Sequence, residues 1–538
     1  MIRGNLQTGR ASILILGALL SVPALAQQAP LSASDWLRRH GNTQIPGNSS
    51  AWRPGDPIPR DAARLRASAV SDQQDQTTAD IATSAGAVPV GVRRLGATDP
   101  DGTGIISARQ AGLPDTFWNG TNLDTALRMI HARPALPASS QVTIRVIEAQ
   151  LPPPVTPSGN SGGAFFIARA DQLIERGILP SAMAMLQGAG QDNAATFQRL
   201  FNLSLLLGSE TQACMQMHEA PGIMTDPAAR IFCLAQSGDW SAAATLLAGA
   251  RQLNMIDPEM GDLLARYLDD STTDSETILS PYEPMTPLAF RLHESIGQPL
   301  PADTLDLKYA WTNLDQRAGW KAQLEAGERL ARARALPTTR LHQLYSAQRP
   351  AASGGVWERA AVIQALDAAL ATSDPVRIGP SLTNAFQHME KAGLRDAFAA
   401  MMAPRLRPEE LTGNAARLAL WLRLWNGETD ASQAPEDELD AALLALATGG
   451  QPEALSPALG ALAPVFATDL PPTPDPNDQI AFAPALYGAL ADADAGTQGD
   501  FTRAARGIQT LRQLGMIADA RRIATQIALD PLLKGVMQ

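Results

Sequence analysis

Residues 164–186, AFFIARADQLIERGILPSAMAML, decide the fold of this chain because they place two apolar-periodic segments on either side of a single glycine, Gly177. Apolar residues recur at helical spacing in both segments, which predicts one helix from Phe165 to Arg176 and a second from Ser181 to Gln187. A glycine after the last periodic residue ends a helix. The stretch therefore predicts a hairpin of two antiparallel helices.

The same arrangement recurs further along the chain, with Gly208 and Gly238 following Gly177 at intervals of 31 and 30 residues. The helices predicted around these two glycines are Ala195 to Leu207, Glu210 to Glu219, Ala228 to Ser237 and Trp240 to Leu253. A repeat of roughly 30 to 35 residues with two helices resembles the tetratricopeptide repeat, or TPR, and the related Sel1 type. That resemblance implies an all-α fold, an α-solenoid of antiparallel helical hairpins.

Alanines four or five positions after the turn glycines extend the repeat prediction to the C-terminus. The pairs are Gly177 with Ala182, Gly238 with Ala242, Gly393 with Ala397, and Gly515 with Ala520. A small side chain is expected where two helix backbones approach closely. We expect regular repeats with a disulfide over residues 164–270, irregular helical repeats over 271–470, and a C-terminal helical hairpin or hairpins over 471–538.

The region before the repeats is predicted to be different in character. Residues 27–104 are rich in Pro, Gly, Ala, Ser, Asp and Gln without a sustained period, which is typical of a largely disordered, low-complexity segment. Residues 105–163 predict short helices followed by a Pro/Gly linker. The helix predicted from Ser140 to Leu151 has a strand as its alternative, because Val142, Ile144 and Val146 alternate.

The first 26 residues have the pattern of a secretory signal peptide. Arg3 and Arg10 precede an apolar run from Ile13 to Leu20, and small residues end at Ala26. We expect cleavage after Ala26 and export to the periplasm, with an uncleaved anchor helix as the alternative. Gln27 follows the cleavage site where a lipid anchor would require cysteine, and we expect no membrane insertion after cleavage.

The charge balance disfavours two classes of partner. The full chain carries a net charge of −11, and loss of the two signal-peptide arginines takes it to −13. Binding to phosphate backbones needs clustered Lys and Arg, which this chain lacks. We therefore expect no nucleic-acid partner, and anionic membrane surfaces are disfavoured for the same reason.

The two cysteines of the chain, Cys214 and Cys233, fall on neighbouring antiparallel helices of the predicted array. In an oxidising compartment such a pair is expected to form a disulfide. A redox role is the alternative, but the chain has no Cys-x-x-Cys motif. We predict a structural disulfide between the second and third hairpins.

One segment resembles the calcium-binding loop of an EF-hand, namely Asp99-Pro-Asp101-Gly-Thr103-Gly104-Ile-Ile106-Ser107-Ala-Arg-Gln110. Oxygen donors stand at loop positions 1, 3, 5 and 9, and glycine stands at position 6. The twelfth position is Gln110, where that family has a bidentate Glu. We expect a polar turn before a short helix and assign no metal site here.

Other candidate sites are equally weak. Glu294 in His293-Glu294-Ser295 is similar to the catalytic Glu-Ser pair of lytic transglycosylases, which can also carry an α-superhelix, but no Gly-Leu-Met-Gln-like segment follows it. Trp421 and Trp425 could line a ligand groove or form core between hairpins. Trp36, Trp52 and Trp118 precede the repeats and suggest a piece that docks onto the repeats or onto a partner.

No reaction is identified by these residues. The six histidines stand singly, at positions 40, 131, 218, 293, 342 and 388, and the chain has no Gly-x-Ser-x-Gly elbow, Walker loop or dinucleotide fingerprint. We predict no catalytic residue, no cofactor and no metal. The expected function is a non-enzymatic periplasmic scaffold that binds protein partners of a cell-envelope machine, the flagellar motor first. A peptidoglycan-active or glycan-binding protein is the alternative.

Overall fold

The computed structural model describes residues 100–156, 161–190, 193–268, 278–315, 317–429, 435–467 and 481–536. The predicted signal peptide, Trp36, Trp52 and nearly all of the segment 27–104 lie outside the described residues. The described residues are mostly helical with very little strand, as the sequence predicts, and they belong to one compact unit.

Short elements lie ahead of the first predicted repeat. A 3-10 turn, Pro100–Gly102, leads into strand β1, Ile106–Ser107, which pairs in parallel with strand β2, Ala149–Gln150. The helices between the two strands are α1 Ala108–Ala111, α2 Leu123–Ile130 and α3 Pro137–Glu148. Residues 137–148 are therefore helical, and the strand that the alternation of valines suggested is confined to the two residues that follow.

The described part of the predicted regular repeats, residues 164–270, contains seven helices, and an eighth follows. The helices are α4 Ala164–Glu175, α5 Leu179–Gly188, α6 Ala194–Leu207, α7 Glu210–Glu219, α8 Pro227–Gln236, α9 Trp240–Gln252 and α10 Pro258–Leu268, followed by α11 Pro287–Ser295. Consecutive helices of this series pack against each other, and α11 returns to pack against α6. The two helices predicted on either side of Gly177, of Gly208 and of Gly238 are present, and the two members of each pair contact each other.

The remaining helices form the rest of the described chain. They are α12 Trp320–Arg332, α13 Thr338–Ser346, α14 Gly355–Leu370, α15 Pro375–Lys391, α16 Arg395–Met402, α17 Gly413–Asn426, α18 Glu438–Thr448, α19 Pro457–Ala467, α20 Phe482–Asp494, α21 Phe501–Gln513 and α22 Ile517–Gly535. Further 3-10 segments are Leu307–Leu314, Ala403–Arg405, Pro408–Glu410 and Ala495–Gln498.

Local sequence explains many of the helix ends. An Asp or Asn side chain accepts a hydrogen bond from a backbone N–H of the first turn in helices α2, α6, α8, α9, α15, α18 and α21. At the other end, Gly177 has φ +75° and its carbonyl accepts a 2.6 Å hydrogen bond from the Trp311 indole. A Cβ at this position would lie 2.9 Å from Leu307, so only glycine fits the turn.

Buried apolar side chains form two clusters. The larger runs through most of the helices from α1 to α22, and the smaller contains buried residues of α6 to α11. Helix α11 contributes to both, since Phe290 belongs to the larger cluster and Leu292 to the smaller. We call helices α7–α10, residues 210–268, the disulfide arm.

The first and last parts of the described chain pack together. Helix α22 contacts α3, α17 and α18. Gln526 on α22 accepts a hydrogen bond from the backbone N–H of Ala138 at 3.0 Å and donates one to the carbonyl of Trp425 at 2.9 Å. These contacts differ from the sequence expectation of an array in which each hairpin contacts only its neighbours.

Two boundaries and one packing prediction need correction. Ordered structure includes residues 100–104, which the sequence placed in the disordered segment, and Asp101 there is fully buried. The predicted linker begins with residues that belong to the fold, since Pro154 and Thr156 are buried and Val155 pairs with Asn122. In the third hairpin Ala243, rather than the predicted Ala242, is the fully buried alanine.

Candidate functional site

The disulfide between Cys214 on α7 and Cys233 on α8 is formed, as the sequence predicts. The two sulfur atoms are 1.95 Å apart and the Cα atoms 5.0 Å apart. Each cysteine is 7% exposed, so the bond lies just beneath the surface of the arm. It joins the second predicted hairpin to the third.

A groove with a volume of about 870 Å³ lies over this disulfide. One face of α7 forms one wall, with residues at the spacing i, i+3, i+4 and i+7, and one face of α8 forms the other with the same spacing. The residues of the two walls are Thr211, Cys214, Met215 and His218 on α7, and Arg230, Cys233 and Leu234 on α8 with Ser237 directly after it. Met217 and Leu246 add further apolar surface. We call this the methionine groove.

Exposed Met215 forms part of the methionine groove. Ten large apolar side chains are exposed among the described residues, and of these ten Met215 is the one that lines this groove. Exposed apolar surface that is rimmed by polar residues is typical of an interaction or ligand site. Methionine adapts its shape to a partner because its side chain is unbranched and polarizable.

The two ends of the methionine groove differ in charge. His218, Glu219 and Arg230 lie at the end next to the loop 220–226, which joins α7 to α8. Arg230 is half-buried, and its guanidinium has no ion-pair or hydrogen-bond partner among the residues that the structure describes. The far end is neutral and polar, where the Gln236 amide donates a 3.0 Å hydrogen bond to the Tyr267 hydroxyl. Burial raises the pKa of Tyr267, which keeps that hydroxyl protonated.

The segment that resembles an EF-hand serves as a structural support for α4. The buried Asp101 carboxylate accepts hydrogen bonds from the backbone N–H of Phe166 at 2.9 Å and of Gly163 at 3.3 Å, and also from the Ser161 hydroxyl. It therefore supplies negative charge at the N-terminus of that helix. Asp99 lies outside the described residues.

Gln110, which departs from the EF-hand pattern, has a role of its own. It forms a capping box at the start of α1, because its side chain accepts from the Ser107 backbone N–H at 3.0 Å while its own N–H donates to the Ser107 hydroxyl at 3.2 Å. The expected polar turn before a short helix is what the described residues form.

Arg169 is a buried charged residue that the sequence analysis did not single out. It is 1% exposed, and its guanidinium donates to the backbone carbonyls of Ala149 at 2.9 Å and of Asp101 at 3.1 Å, among others. Burial lowers its pKa to about 10, against the favourable charge of Asp101. A charge within an otherwise apolar helical face is the signal that could have identified it.

Glu294 lies in an ion-pair network rather than in a catalytic cleft. Arg291 donates to Glu294 at 2.7 Å and to Glu210 at 3.0 Å, so the guanidinium bridges α11 and the start of α7. The sequence analysis did not predict this network. The neighbouring His293 is fully buried, and neither ring nitrogen has a hydrogen-bond partner in the described part of the chain.

Three of the tryptophans that the sequence singles out, Trp118, Trp421 and Trp425, are core residues. Trp421 and Trp425 are 7% and 3% exposed, and their indole N–H groups donate to the carboxylates of Asp440 at 2.8 Å and Asp396 at 3.1 Å. Of the two readings that the sequence left open, the described structure favours packing between helices. Trp118 is also buried, and its ring lies 5.4 Å from that of Phe165 on α4.

Within the described ranges, no group of three or more His, Cys, Asp and Glu side chains could hold a metal ion. His342 contacts the Asp367 carboxylate at 2.9 Å, and Arg405 completes that charged cluster. None of the helices in the part of the chain that the structure describes has the length and apolar character needed to cross a bilayer.

Comparison of the chain with protein-family models, curated proteins and solved structures finds no match.

Proposed function

We propose that this protein is a non-enzymatic adaptor, exported to the periplasm, which binds protein partners of a cell-envelope machine through the methionine groove. The observation that carries the proposal is the groove itself. It has a volume of about 870 Å³, its walls are largely apolar, and exposed Met215 lies at its edge. We further propose that the hairpins of α4 to α9 are TPR-like, because helical-repeat proteins present extended surfaces of this kind to their partners.

Two independent features support export. The pattern of residues 1–26 is that of a cleaved signal peptide, with cleavage after Ala26. The Cys214–Cys233 disulfide is compatible with an oxidising compartment, where such bonds persist. Among envelope machines, the flagellar motor is the first to test, because some periplasmic motility proteins have this general size and helical character.

A matched pair of variants tests the adaptor function. Met215→Glu places a charge in the methionine groove, whereas Ile517→Glu makes the same kind of change on α22, where Ile517 is 45% exposed and lines neither groove. Tagged mature protein of each type is used to capture partners from cells that express it. We expect one or more proteins to be lost from the Met215→Glu capture and retained with Ile517→Glu. Identical captures from both variants would refute binding through this groove.

A second groove favours glycan binding as an alternative function. It has a volume of about 560 Å³ and lies between α15 and α17, where it is lined by Thr383, Asn384, Gln387, Thr412 and Asn414 among others. Uncharged amide and hydroxyl groups can donate to and accept from sugar hydroxyls. Cosedimentation of the mature protein with cell-wall sacculi, abolished by Asn384→Ala with Gln387→Ala, would establish this alternative over the adaptor function.

A further inference from the structure

The length of the methionine groove fits two turns of helix. On α7 the lining residues run from Thr211 to Glu219, and on the other wall they run from Arg230 to Ser237, the residue directly after α8. At 1.5 Å per residue each wall is about 10 to 12 Å long. A helix of about 10 Å diameter over that length has a volume close to that of the groove.

The walls of the methionine groove also select for a helical occupant. Both walls are faces of α-helices, whose backbone N–H and C=O groups are bonded within α7 and α8. An extended peptide would bury its own backbone groups against these apolar walls without partners, which costs free energy. A helix has satisfied its backbone groups already and presents only side chains, so it avoids that cost.

Arg230 gives the methionine groove a charge preference. Its side chain is half-buried at the loop end of the groove and has no ion-pair partner among the described residues. The other ionisable groups lining that end are His218 and the exposed Glu219. A partner that covered Arg230 without neutralising it would bury an unpaired charge, whereas a carboxylate would form a charge-assisted, bidentate hydrogen bond.

We infer that the methionine groove binds an amphipathic helix about two turns long, with apolar residues at i, i+3 and i+7 and a Glu or Asp beside them that pairs with Arg230. This inference rests on the proposed adaptor function and specifies the chemistry of the partner at that site. The rest of the partner lies outside the groove and is not constrained by it.

Defined peptides test the inference on the mature full-length chain. The probes are three 14-residue fluorescent peptides with Leu at i, i+3 and i+7. One is a stapled helix with Glu at the flanking position, the second replaces that Glu by Lys, and the third keeps the Glu but contains two prolines that prevent a helix. Binding is measured by anisotropy, and ¹³C-methyl methionine spectra report the environments of Met215 and Met217.

We expect the Glu helix to bind most tightly and to shift the methyl signals of Met215 and Met217. Arg230→Glu should weaken the Glu helix by about tenfold and make the Lys helix the preferred ligand, since the charge pair is half-buried. Arg506→Glu is the control, because Arg506 is exposed on α21 and lies outside the groove.

Several results would overturn the inference. If the Glu and Lys helices bind equally well and Arg230→Glu affects neither, a carboxylate of the partner does not pair with Arg230. If the proline peptide binds as tightly as the Glu helix, the groove does not require a helical partner. If none of the three peptides binds, the groove does not bind a short amphipathic helix. If the fatty-acid salt sodium palmitate alone shifts the methyl signals of Met215 and Met217, the groove binds a lipid chain instead.

The proposed function fails separately from this inference. If no peptide binds while capture of cellular partners still depends on Met215, the inference fails and the adaptor function survives. If the Glu helix binds while capture is insensitive to Met215→Glu, the adaptor function fails.

Discussion

At the scale of single residues, His293 is the side chain whose environment has the clearest consequence for pH dependence. It is fully buried on α11, and neither ring nitrogen has a hydrogen-bond partner among the described residues. Burial lowers its pKa, because the charged imidazolium is poorly solvated there. Helix α11 links the two apolar clusters, so protonation of His293 acts at the junction between the arm and the rest of the unit.

We predict that acidification below about pH 6.5 destabilises the protein through His293. Free histidine titrates near 6.5, so below that value the unfolded chain binds a proton that the folded chain does not, and the free energy of unfolding falls. His293→Leu should raise stability at pH 7.5 by about 1 kcal/mol, since it removes two unpartnered polar atoms. Urea unfolding at pH 7.5, 6 and 5 should show that the free energy of unfolding falls less between pH 7.5 and pH 5 in this variant than in the unmodified protein.

His131→Leu provides the control, because it makes the same substitution at an exposed position outside both apolar clusters. An unaltered pH dependence in His293→Leu would show that His293 does not contribute to it.

Asp101 supports a second residue-scale prediction. It accepts hydrogen bonds from the first turn of α4 and compensates the buried charge of Arg169. Asp101→Ala should lower the free energy of unfolding by about 3 kcal/mol, because it removes a cap and leaves that charge without compensation. Asp124→Ala, at an exposed position of α2, should cost less than about 0.5 kcal/mol. Equal unfolding midpoints in urea for the two variants would contradict this role.

The Asp101 segment also shows what sequence reasoning can and cannot decide at this scale. The same oxygen-bearing residues suit a calcium loop, a helix cap or a capping box. Only the positions of α4 and β2 relative to this segment distinguish these roles. Gly104 is one example, since a Cβ at this position would lie 2.4 Å from the backbone of Ala149, which lies next to it in space but not in sequence. Such contacts join residues about 45 to 65 positions apart and leave no local pattern.

At the scale of elements, the helices and their turns were largely predictable from the sequence. Glycines with positive φ end the helices where the apolar period stops, and Gly177, Gly208 and Gly238 all show this. The pairing of β1 with β2 and the 3-10 form of Leu307–Leu314 were not predicted, because each depends on tertiary contacts such as the bond from Trp311 to Gly177. The disulfide was predicted, whereas the groove above it was not. A groove forms where side chains of neighbouring helices leave space between them, and the apolar pattern does not report that spacing.

The disulfide sets the stability of the arm. Cys214 and Cys233 are 19 positions apart, and closing a loop of that size contributes about 3 kcal/mol. We expect the double variant Cys214→Ala with Cys233→Ala to show faster amide hydrogen exchange in α7 and α8, with little change in α14 and α15. Faster exchange throughout the described chain would instead mean that the arm and the rest unfold together.

At the scale of the whole described unit, the association of α22 with α3 is the feature that a repeat pattern does not predict. Arg145 on α3 and Asp519 on α22 form a 2.6 Å ion pair between residues 374 positions apart. A repeat period reports on neighbouring hairpins only, so no spacing in the sequence indicates this contact. The predicted division into a linker, regular repeats and a separate C-terminal hairpin gave no indication of it either.

A charge exchange tests this association. Arg145→Asp and Asp519→Arg should each reduce stability by about 1 kcal/mol, a modest amount because both side chains are partly exposed. The double variant should recover most of that loss. Additive losses in urea unfolding would contradict a direct interaction between the two helices.

The central claim is that the methionine groove is the surface through which this protein binds a partner. The most direct measurement is site-specific photo-crosslinking in living cells, with p-benzoylphenylalanine placed either at Met215 in the groove or at Ile517 on α22, both of which are exposed. We predict a discrete protein adduct from position 215 that is absent from position 517 and is diminished by Arg230→Glu. Adducts of the same proteins from both positions, or no adduct from position 215, would contradict it.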